Sequence, residues 1–222
     1  MRTATLSFLA ALLLAGCGAS QRLVTYNTKI DAVERPSDAK ERYGEYTVSQ
    51  SDTAGYVYED DLVRATFVSG GSTVLTSVQN KTDHSIQIRV EQGAFVLPGG
   101  KSDRILLGDM SYAGRNNQVQ PITVPSGASS SATFIPESKV RMGYQDVVVD
   151  PIIYPGSIGG MGQNKTTVAD VRGNIGKKYQ LLLPIEIQGT VNEYTFTFEV
   201  AGAKIDAGSG KSQKVVGEYP NQ

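Results

Sequence analysis

The sequence predicts an all-β protein whose folded part is a single antiparallel, immunoglobulin-like β-sandwich. Short segments of alternating apolar and polar residues recur at intervals of about 8–12 residues, which is typical of sandwiches and barrels. Clusters of Gly, Pro, Ser and Asn separate these segments. No segment carries the apolar stripe of a long amphipathic helix. The single Cys and the absence of Trp show that the likeness to immunoglobulin domains rests on strand pattern alone.

The composition excludes several functional classes. The 222 residues include 21 basic and 22 acidic side chains and give a formal charge of −1. Without a basic stripe the chain is not expected to bind nucleic acid, because phosphate contacts need clustered Lys and Arg. One Cys and one His exclude a disulfide framework and the usual Cys/His zinc sites. We therefore predict no cofactor.

The N-terminal segment has the pattern of a secretory signal. Arg2 precedes an apolar run, and the run ends on small residues. This run is too short to cross a bilayer, which takes about 20 apolar residues. Residues 1–16 are therefore predicted to be a signal peptide that is removed.

The end of that segment, Leu14-Ala15-Gly16-Cys17, resembles the lipobox of bacterial lipoproteins. The resemblance implies cleavage just before Cys17, diacylglycerol on its thiol and acylation of the new N-terminus. Two or more acyl chains anchor a protein stably, whereas one holds it only marginally. Gly18, where an Asp would direct retention at the inner membrane, favours the outer membrane of the bacterial envelope. The resemblance covers this segment alone.

The rest of the chain divides into three predicted parts. Residues 17–43 are polar with mixed charges and are predicted to form the acylated N-terminus and a tether. Residues 44–202 are predicted to form the sandwich. Residues 203–222, rich in Gly, Ser and Lys, are predicted to be a flexible tail.

Two segments alternate most cleanly, and each has one polar and one apolar face. The predicted core residues in these segments are Val63, Ala65 and Phe67, and then Ile86, Ile88 and Val90. Further strands are predicted at residues 46–49, 56–58, 73–79, 104–107, 120–124 and 130–135.

A C-terminal hairpin is the most specific structural prediction. Alternation continues through residues 179–187 and 192–200, and Gly189-Thr190 fits a two-residue type II′ turn between them. That turn predicts three cross-strand pairs on the core face: Leu181 with Phe198, Leu183 with Phe196, and Ile185 with Tyr194. Pro184 falls on the outer face. Because proline has no N–H to donate, its strand is predicted to lie at an edge of the sheet or to pair at this position through its other side.

A long Gly-rich insert, residues 143–178, precedes this hairpin. Such loops are uncommon in compact domains and are often functional or disordered. The insert has three interpretations: extra strands with a loop, a contact surface for a partner, or a catalytic segment. The candidate partner-binding residues are Val147, Val149, Ile152, Tyr154 and Met161.

Other motifs carry weaker signals. Glu59, Asp60 and Asp61 form the densest carboxylate cluster, which is either an exposed acidic turn or a contribution to a Ca²⁺ site. Asp83-His84-Ser85 has the residue types of a hydrolase triad but in adjacent positions, unlike triads assembled by a fold. Residues 208–212, Gly-Ser-Gly-Lys-Ser, resemble the end of a phosphate-binding loop without its first Gly. We predict no catalytic residues.

Two functional hypotheses follow. The first is a non-catalytic outer-membrane lipoprotein, held in the membrane by acylated Cys17, whose β-domain binds an envelope protein as an assembly, tethering or accessory subunit. The alternative is a glycan- or cell-wall-binding lipoprotein, with or without hydrolytic activity, which would need a concave site with convergent polar groups.

Overall fold

A computed structural model describes residues 22–51, 55–69, 71–110, 112–117, 119–144, 146–154, 157–158, 167–206 and 214–217. These residues form an antiparallel all-β fold, which confirms the predicted class. The signal segment and the lipobox with Cys17 lie outside the described residues, as do residues 208–212.

The described strands, in chain order, are β1 (Arg22–Glu34), β2 (Thr47–Gln50), β3 (Tyr56–Glu59), β4 (Val63–Ser69), β5 (Val74–Asn80), β6 (Ile86–Ile88), β7 (Ala94–Val96), β8 (Ser102–Leu107), β9 (Ile122–Val124), β10 (Ser129–Pro136), β11 (Val140–Met142), β12 (Val147–Val149), β13 (Ser157–Ile158), β14 (Lys178–Ile187), β15 (Thr190–Ile205) and β16 (Lys214–Gly217). The helical elements are α1 (Ala39–Tyr43), α2 (Val168–Arg172) and three 3₁₀ helices, Val90–Gln92, Tyr112–Asn116 and Glu137–Lys139.

All strands except β11 and β12 belong to one sheet of 14 strands, and β8 joins its two halves. The first part of β8 pairs with β7 and the second part pairs with β10. The sheet turns back on itself, so that the Phe67 ring of β4 lies 4.5 Å from the Phe196 ring of β15, centroid to centroid. The predicted immunoglobulin-like sandwich is therefore not confirmed. A sandwich has two separate sheets, whereas here the two packed layers belong to one continuous hydrogen-bonded sheet.

The predicted core faces are confirmed. The six core residues predicted in the first half of the domain are all buried, and so are the alternate residues of the C-terminal hairpin from Tyr179 to Ile185 and from Asn192 to Val200. Four buried aromatic rings lie in contact across the core: Tyr58, Phe67, Phe196 and Phe198.

The register predicted for the C-terminal hairpin is wrong by two residues. The turn is Gln188-Gly189, with φ of 51° and 79°, and both residues therefore have the left-handed backbone of a type I′ turn. The observed pairs are Tyr179 with Phe198, Leu181 with Phe196, and Leu183 with Tyr194. A shift of two residues leaves every side chain on its predicted face, because side chains alternate with period two.

Pro184 lies on the predicted outer face of β14 but is buried there, and the predicted edge position is wrong because β14 is not an edge strand. On the side opposite β15, β14 pairs first with β7 and then with β6. Pro184 lies between these two partners, where its carbonyl oxygen accepts a hydrogen bond of 2.9 Å from the Arg89 N–H. The missing N–H of proline is tolerated because the ladder is interrupted there.

The predicted tether at residues 17–43 is wrong for its described part. β1 pairs with β15 from Val24 to Glu34, and Val24, Tyr26 and Thr28 are buried. After β1 the chain continues into α1, which buries Ala39 and Tyr43. The described domain therefore begins at Arg22 and not at residue 44.

The predicted tail at residues 203–222 is also wrong in part. β15 continues to Ile205, and Ala203 and Ile205 are buried. Residues 202–205 pair in addition with β16.

Candidate functional site

The hairpin of β11 and β12 lies outside the main sheet. Its pairs are Val140 with Val149, Arg141 with Val148, and Met142 with Val147. The Gly143 N–H donates to the Asp146 carbonyl at 2.7 Å and closes the turn. β11 and β12 thus form a separate two-stranded sheet.

The tip of this hairpin exposes large apolar side chains. Tyr144 is 100% exposed, Met142 is 54% exposed and Val147 is 44% exposed. Met142 and Val147 are cross-strand partners, and Tyr144 lies in the turn that joins their strands. We refer to Met142, Tyr144 and Val147 as the tip cluster.

Polar contacts hold the two strands of the hairpin together at its base. The Arg141 Nε atom donates to both Asp150 carboxylate oxygens, at 2.9 and 3.1 Å. The Asp150 N–H donates to the Lys139 carbonyl at 2.7 Å. β11 also packs against the 3₁₀ helix Tyr112–Asn116. These contacts matter because an isolated two-stranded hairpin is only marginally stable in water.

The predicted partner-binding residues differ in their exposure to solvent. Val147 and Tyr154 are exposed, and Val149 is partly buried. Ile152 is only 4% exposed and belongs to the core, so its proposed contact role is wrong. Its N–H donates to the Gly71 carbonyl at 2.8 Å, which holds this segment against the sheet. Met161 lies outside the described residues.

A buried amide fixes the backbone at Tyr154. The Asn174 side chain is buried and donates to the Tyr154 carbonyl at 2.8 Å and to the Tyr26 hydroxyl at 2.7 Å. The Tyr154 side chain is 68% exposed beside this anchored backbone. Tyr154 is therefore a second exposed aromatic residue on a fixed segment.

Sequence reasoning missed Met142 and Tyr144. Met142 lies outside the predicted insert at residues 143–178, and Tyr144 is not one of the predicted partner-binding residues. The signal that identifies them is the symmetry of the segment, in which Val-Arg-Met and Val-Val-Val flank Gly-Tyr-Gln-Asp. Two short triplets with an apolar residue at each end, placed around a turn, predict a hairpin with the Tyr at its tip.

The acidic triplet at residues 59–61 does not converge on a common point. The Glu59 carboxylate accepts a hydrogen bond from the Lys81 Nζ atom at 2.9 Å, Asp60 is buried and Asp61 is exposed. Within the described ranges, no three His, Cys, Asp or Glu side chains are grouped so that they could hold a metal ion. The triplet therefore lacks the converging oxygen ligands of a Ca²⁺ site.

Asp60 instead completes the turn before β4. Its Oδ1 atom accepts hydrogen bonds from the backbone N–H groups of Leu62 and Val63, at 2.9 and 2.8 Å. The nearby Arg35 guanidinium, 8% exposed, lies 3.7 Å from its Oδ2 atom. Arg35 also donates to the Gly44 carbonyl, so this pair links the end of β1 to the turn.

Two tyrosines complete the surroundings of Asp60. The hydroxyls of Tyr58 and Tyr194 donate to its Oδ2 atom at 2.6 and 3.3 Å. Burial raises the pKa of both phenols above the ordinary value, and the neighbouring Asp60 carboxylate raises the pKa further. Both phenols therefore stay neutral and act as donors over the physiological range, which is a structural role.

His84 lies in an exposed turn. Its Nδ1 atom contacts the Asp83 carboxylate and lies 3.1 Å from the Gln188 Nε2 atom. The side chains of Asp83 and His84 are 86% and 54% exposed. Such an open turn lacks the enclosed geometry that positions a nucleophile.

The concave regions lined by described residues include two of similar volume. One of about 390 Å³ is lined by Glu91, Arg104, Ile105, Asn116 and Val119. The other, of about 400 Å³, lies along β10 and is lined by Leu75, Leu107, Asp109, Ile122 and residues 130–133.

No protein-family model matches this chain, and neither the curated proteins nor the solved structures include a match. None of the helices in the described part of the chain is both long enough and apolar enough to cross a membrane.

Proposed function

We propose that this protein is a non-catalytic, lipid-anchored protein of the bacterial outer membrane that binds an envelope protein through the β11–β12 hairpin. The observation that carries the proposal is the tip cluster, in which Tyr144 is fully exposed on a hairpin outside the main sheet. The domain acts as an assembly, tethering or accessory subunit.

The chemistry of the tip cluster favours a protein partner. Tyr is enriched among the residues that dominate interface energies, and Met is enriched at interfaces in general. Both Tyr144 and Met142 expose at least half of their surface to water. Burial of one such side chain contributes about 1.5–3 kcal/mol. A partner with an apolar groove would cover Tyr144, Met142 and Val147 together.

The lipobox resemblance supports the anchored part of the proposal. Acylation of Cys17 with two or more chains would hold the domain at the membrane surface. Anchoring raises the effective concentration of the domain near a membrane-associated partner.

For the fold, the continuous hydrogen bonding through β8 favours a nearly closed, barrel-like sheet over an immunoglobulin-like sandwich.

Site-specific photocrosslinking in intact cells tests the proposal. A benzophenone amino acid replaces Tyr144, or replaces Val191 as a matched control that is 41% exposed on β15. We expect one discrete crosslinked envelope protein from position 144 and none from position 191. Cys17→Ala should weaken that product. Equal products from both positions, or no product from position 144, would contradict the proposal.

A second test separates binding from folding. The double variant Met142→Ser, Tyr144→Ser should keep the free energy of unfolding within about 0.5 kcal/mol, because both side chains are exposed. Recovery of the crosslink-identified partner should fall about 10-fold or more, which corresponds to about 1.4 kcal/mol. Leu23→Ser, at a side chain that is 65% exposed on β1, is the control. Unchanged recovery with the double variant would overturn the docking role of the tip cluster.

A further inference from the structure

β9 and β10 follow each other in the chain but do not pair with each other. Residues 125–128 join them, and consecutive antiparallel strands with so short a connection usually form a hairpin. In the described part of the chain, β9 pairs only with β6, whereas β10 pairs with β5 and, over its last three residues, with β8. The sheet therefore has a gap between β9 and the first half of β10.

Asn80 holds the chain on both sides of the turn that separates these strands. Its buried side chain donates from the Nδ2 atom to the Val124 carbonyl at 3.0 Å and to the His84 carbonyl at 2.6 Å. Its backbone N–H donates to the Ala128 carbonyl at 2.9 Å. The end of β9 and the residue before β10 are thus both bound to Asn80, so the gap belongs to the folded structure.

The backbone of Ser131 faces this gap. Alternate residues of a strand direct their backbone groups to opposite edges. The Ala128 carbonyl accepts from β5, and the Thr133 carbonyl accepts from the Gly108 N–H at 2.8 Å on the other side. The even-numbered residues of β10 therefore face β5. Ser131 directs its N–H and its carbonyl to the opposite edge, where no described strand pairs with it.

β8 ends just before it would reach Ser131. The hydrogen bond from Gly108 is its last one to β10, and the chain then turns away, because the Met110 N–H donates to the Leu107 carbonyl at 3.0 Å. A strand that continued in the direction of β8 would lie against Ser131 and fill the gap.

A concave region of about 400 Å³ lies at this position. Leu107, Ile122 and Ala132 supply its apolar wall, and each is partly buried and packs against the core. Asp109, at the end next to β8, is exposed and is the only charged residue among the described residues that line the region. A segment that fits here has an aliphatic side chain for the apolar wall and a basic residue near Asp109.

We propose that this gap binds an extended peptide segment of a partner protein as an additional strand between β9 and β10. The segment runs antiparallel to β10 and exchanges two backbone hydrogen bonds with Ser131. Its aliphatic side chain packs on Leu107, Ile122 and Ala132, and a basic residue at its N-terminal end lies next to Asp109. In such strand addition the main chain gives affinity, and pockets for alternate side chains give specificity. The inference uses none of the tip-cluster residues and does not depend on the proposed hairpin contact.

Hydrogen exchange of the detergent-solubilised, full-length protein, followed by NMR, tests the free edge first. The N–H groups of Ser130 and Ala132 face β5 and should be protected. The Ser131 N–H should exchange about 10-fold faster or more, because exchange follows local hydrogen bonding. A Ser131 N–H as protected as its two neighbours would overturn the proposal.

The binding probe is the peptide acetyl-Lys-Val-Thr-Val-Thr-amide, whose Val side chains face the core when the central Thr lies opposite Ser131. We expect saturable shifts of the Ser131 amide and the Ile122 methyl groups, and slower exchange of the Ser131 N–H. The same peptide N-methylated at the central Thr is the matched control and should not bind, because it cannot donate to the Ser131 carbonyl.

A second peptide tests the charge at Asp109. Replacement of the Lys by Glu should weaken binding about 2–5-fold, since an ion pair at an exposed site contributes little. Equal affinities of the two peptides would overturn the placement of a basic residue next to Asp109.

Two variants connect binding to the backbone of β10. Ser131→Pro removes the N–H that faces the gap and keeps the hydrogen bonds to β5, so it should weaken binding about 10-fold or more. Ser131→Ala keeps the N–H and should bind as the wild type does. The double variant Met142→Ser, Tyr144→Ser should also bind normally, which distinguishes this site from the tip cluster. Absence of saturable shifts with the unmodified peptide, equal binding of the N-methylated peptide, or wild-type affinity in Ser131→Pro would each overturn the proposal.

Discussion

Asp60 illustrates at the scale of one residue how burial determines the role of a carboxylate. Glu59, Asp60 and Asp61 are adjacent and chemically similar, but only Asp60 is enclosed, at 3% exposure. It satisfies two backbone N–H groups, balances the charge of Arg35 and accepts from Tyr58. The energetic importance of the triplet is therefore concentrated in one of its three members.

Asp60→Ala should lower the free energy of unfolding by about 3–5 kcal/mol, because it removes the ion-pair partner of the nearly buried Arg35. Asp61→Ala is the matched control and should change stability by no more than about 0.5 kcal/mol, since that side chain is exposed. Urea unfolding followed by circular dichroism measures both values. Losses of similar size in the two variants would show that the Asp60 contacts do not contribute as described.

Sequence could not separate these three carboxylates, because their partners come from distant parts of the chain. Arg35 lies at the end of β1 and Tyr194 lies on β15. The same limitation affected the candidate site. Apolarity gave Val147 and Ile152 the same significance, although Val147 is 44% exposed and the sheet buries Ile152.

The β14–β15 hairpin shows at the scale of an element which structural facts periodicity can supply. Alternation identified the buried faces of both strands, because it depends only on whether a position is odd or even. Register depends in addition on the turn, and the Gln188-Gly189 turn shifts it by two residues. Alternation alone cannot detect a register shift of two residues, because such a shift leaves every side chain on the same face.

Gln188→Asn should raise the free energy of unfolding by about 0.5–1 kcal/mol, because Asn tolerates a φ of 51° better than Gln does. Gln188→Ala is the control, since it removes the same contact with His84 without relieving the backbone. Thermal and urea unfolding of the three proteins provide the comparison. If Asn at position 188 has no advantage over Ala, the type I′ conformation of this turn is incorrect.

β1 was missed for a different reason, which also belongs to the element scale. Its pairing with β15 shifts register twice, between Asn27 and Thr28 and between Ile30 and Ala32. The first irregularity places its extra residue in β15, but the second adds a residue to β1 and changes the phase of its alternation after the buried Val24, Tyr26 and Thr28. A strand that contains bulges looks polar and irregular in sequence, as a tether does.

The sheet as a whole depends on contacts between the two ends of the described chain. β1 and β15 lie far apart in sequence and form the most extensive strand pair of the sheet. The Tyr43 hydroxyl of α1 contacts the Asn192 side chain, and Arg35 contacts Asp60. The local patterns that predicted single strands contain no information about this closure, which explains why the all-β class was predictable and the topology was not.

Two fragments test this closure directly. A fragment of residues 22–217 should unfold in one cooperative urea transition, whereas residues 44–217 should lack one, because they lose all the β1 and α1 contacts. The shorter fragment leaves one edge of β15 unpaired over residues Thr195–Ile205, and exposed edges of this kind promote aggregation. The measurements are circular dichroism in urea and sedimentation velocity, with the full-length Cys17→Ala protein as the reference. A monomeric, cooperatively folded 44–217 fragment would restore the interpretation of residues 22–43 as a tether and would make β1 an accessory strand.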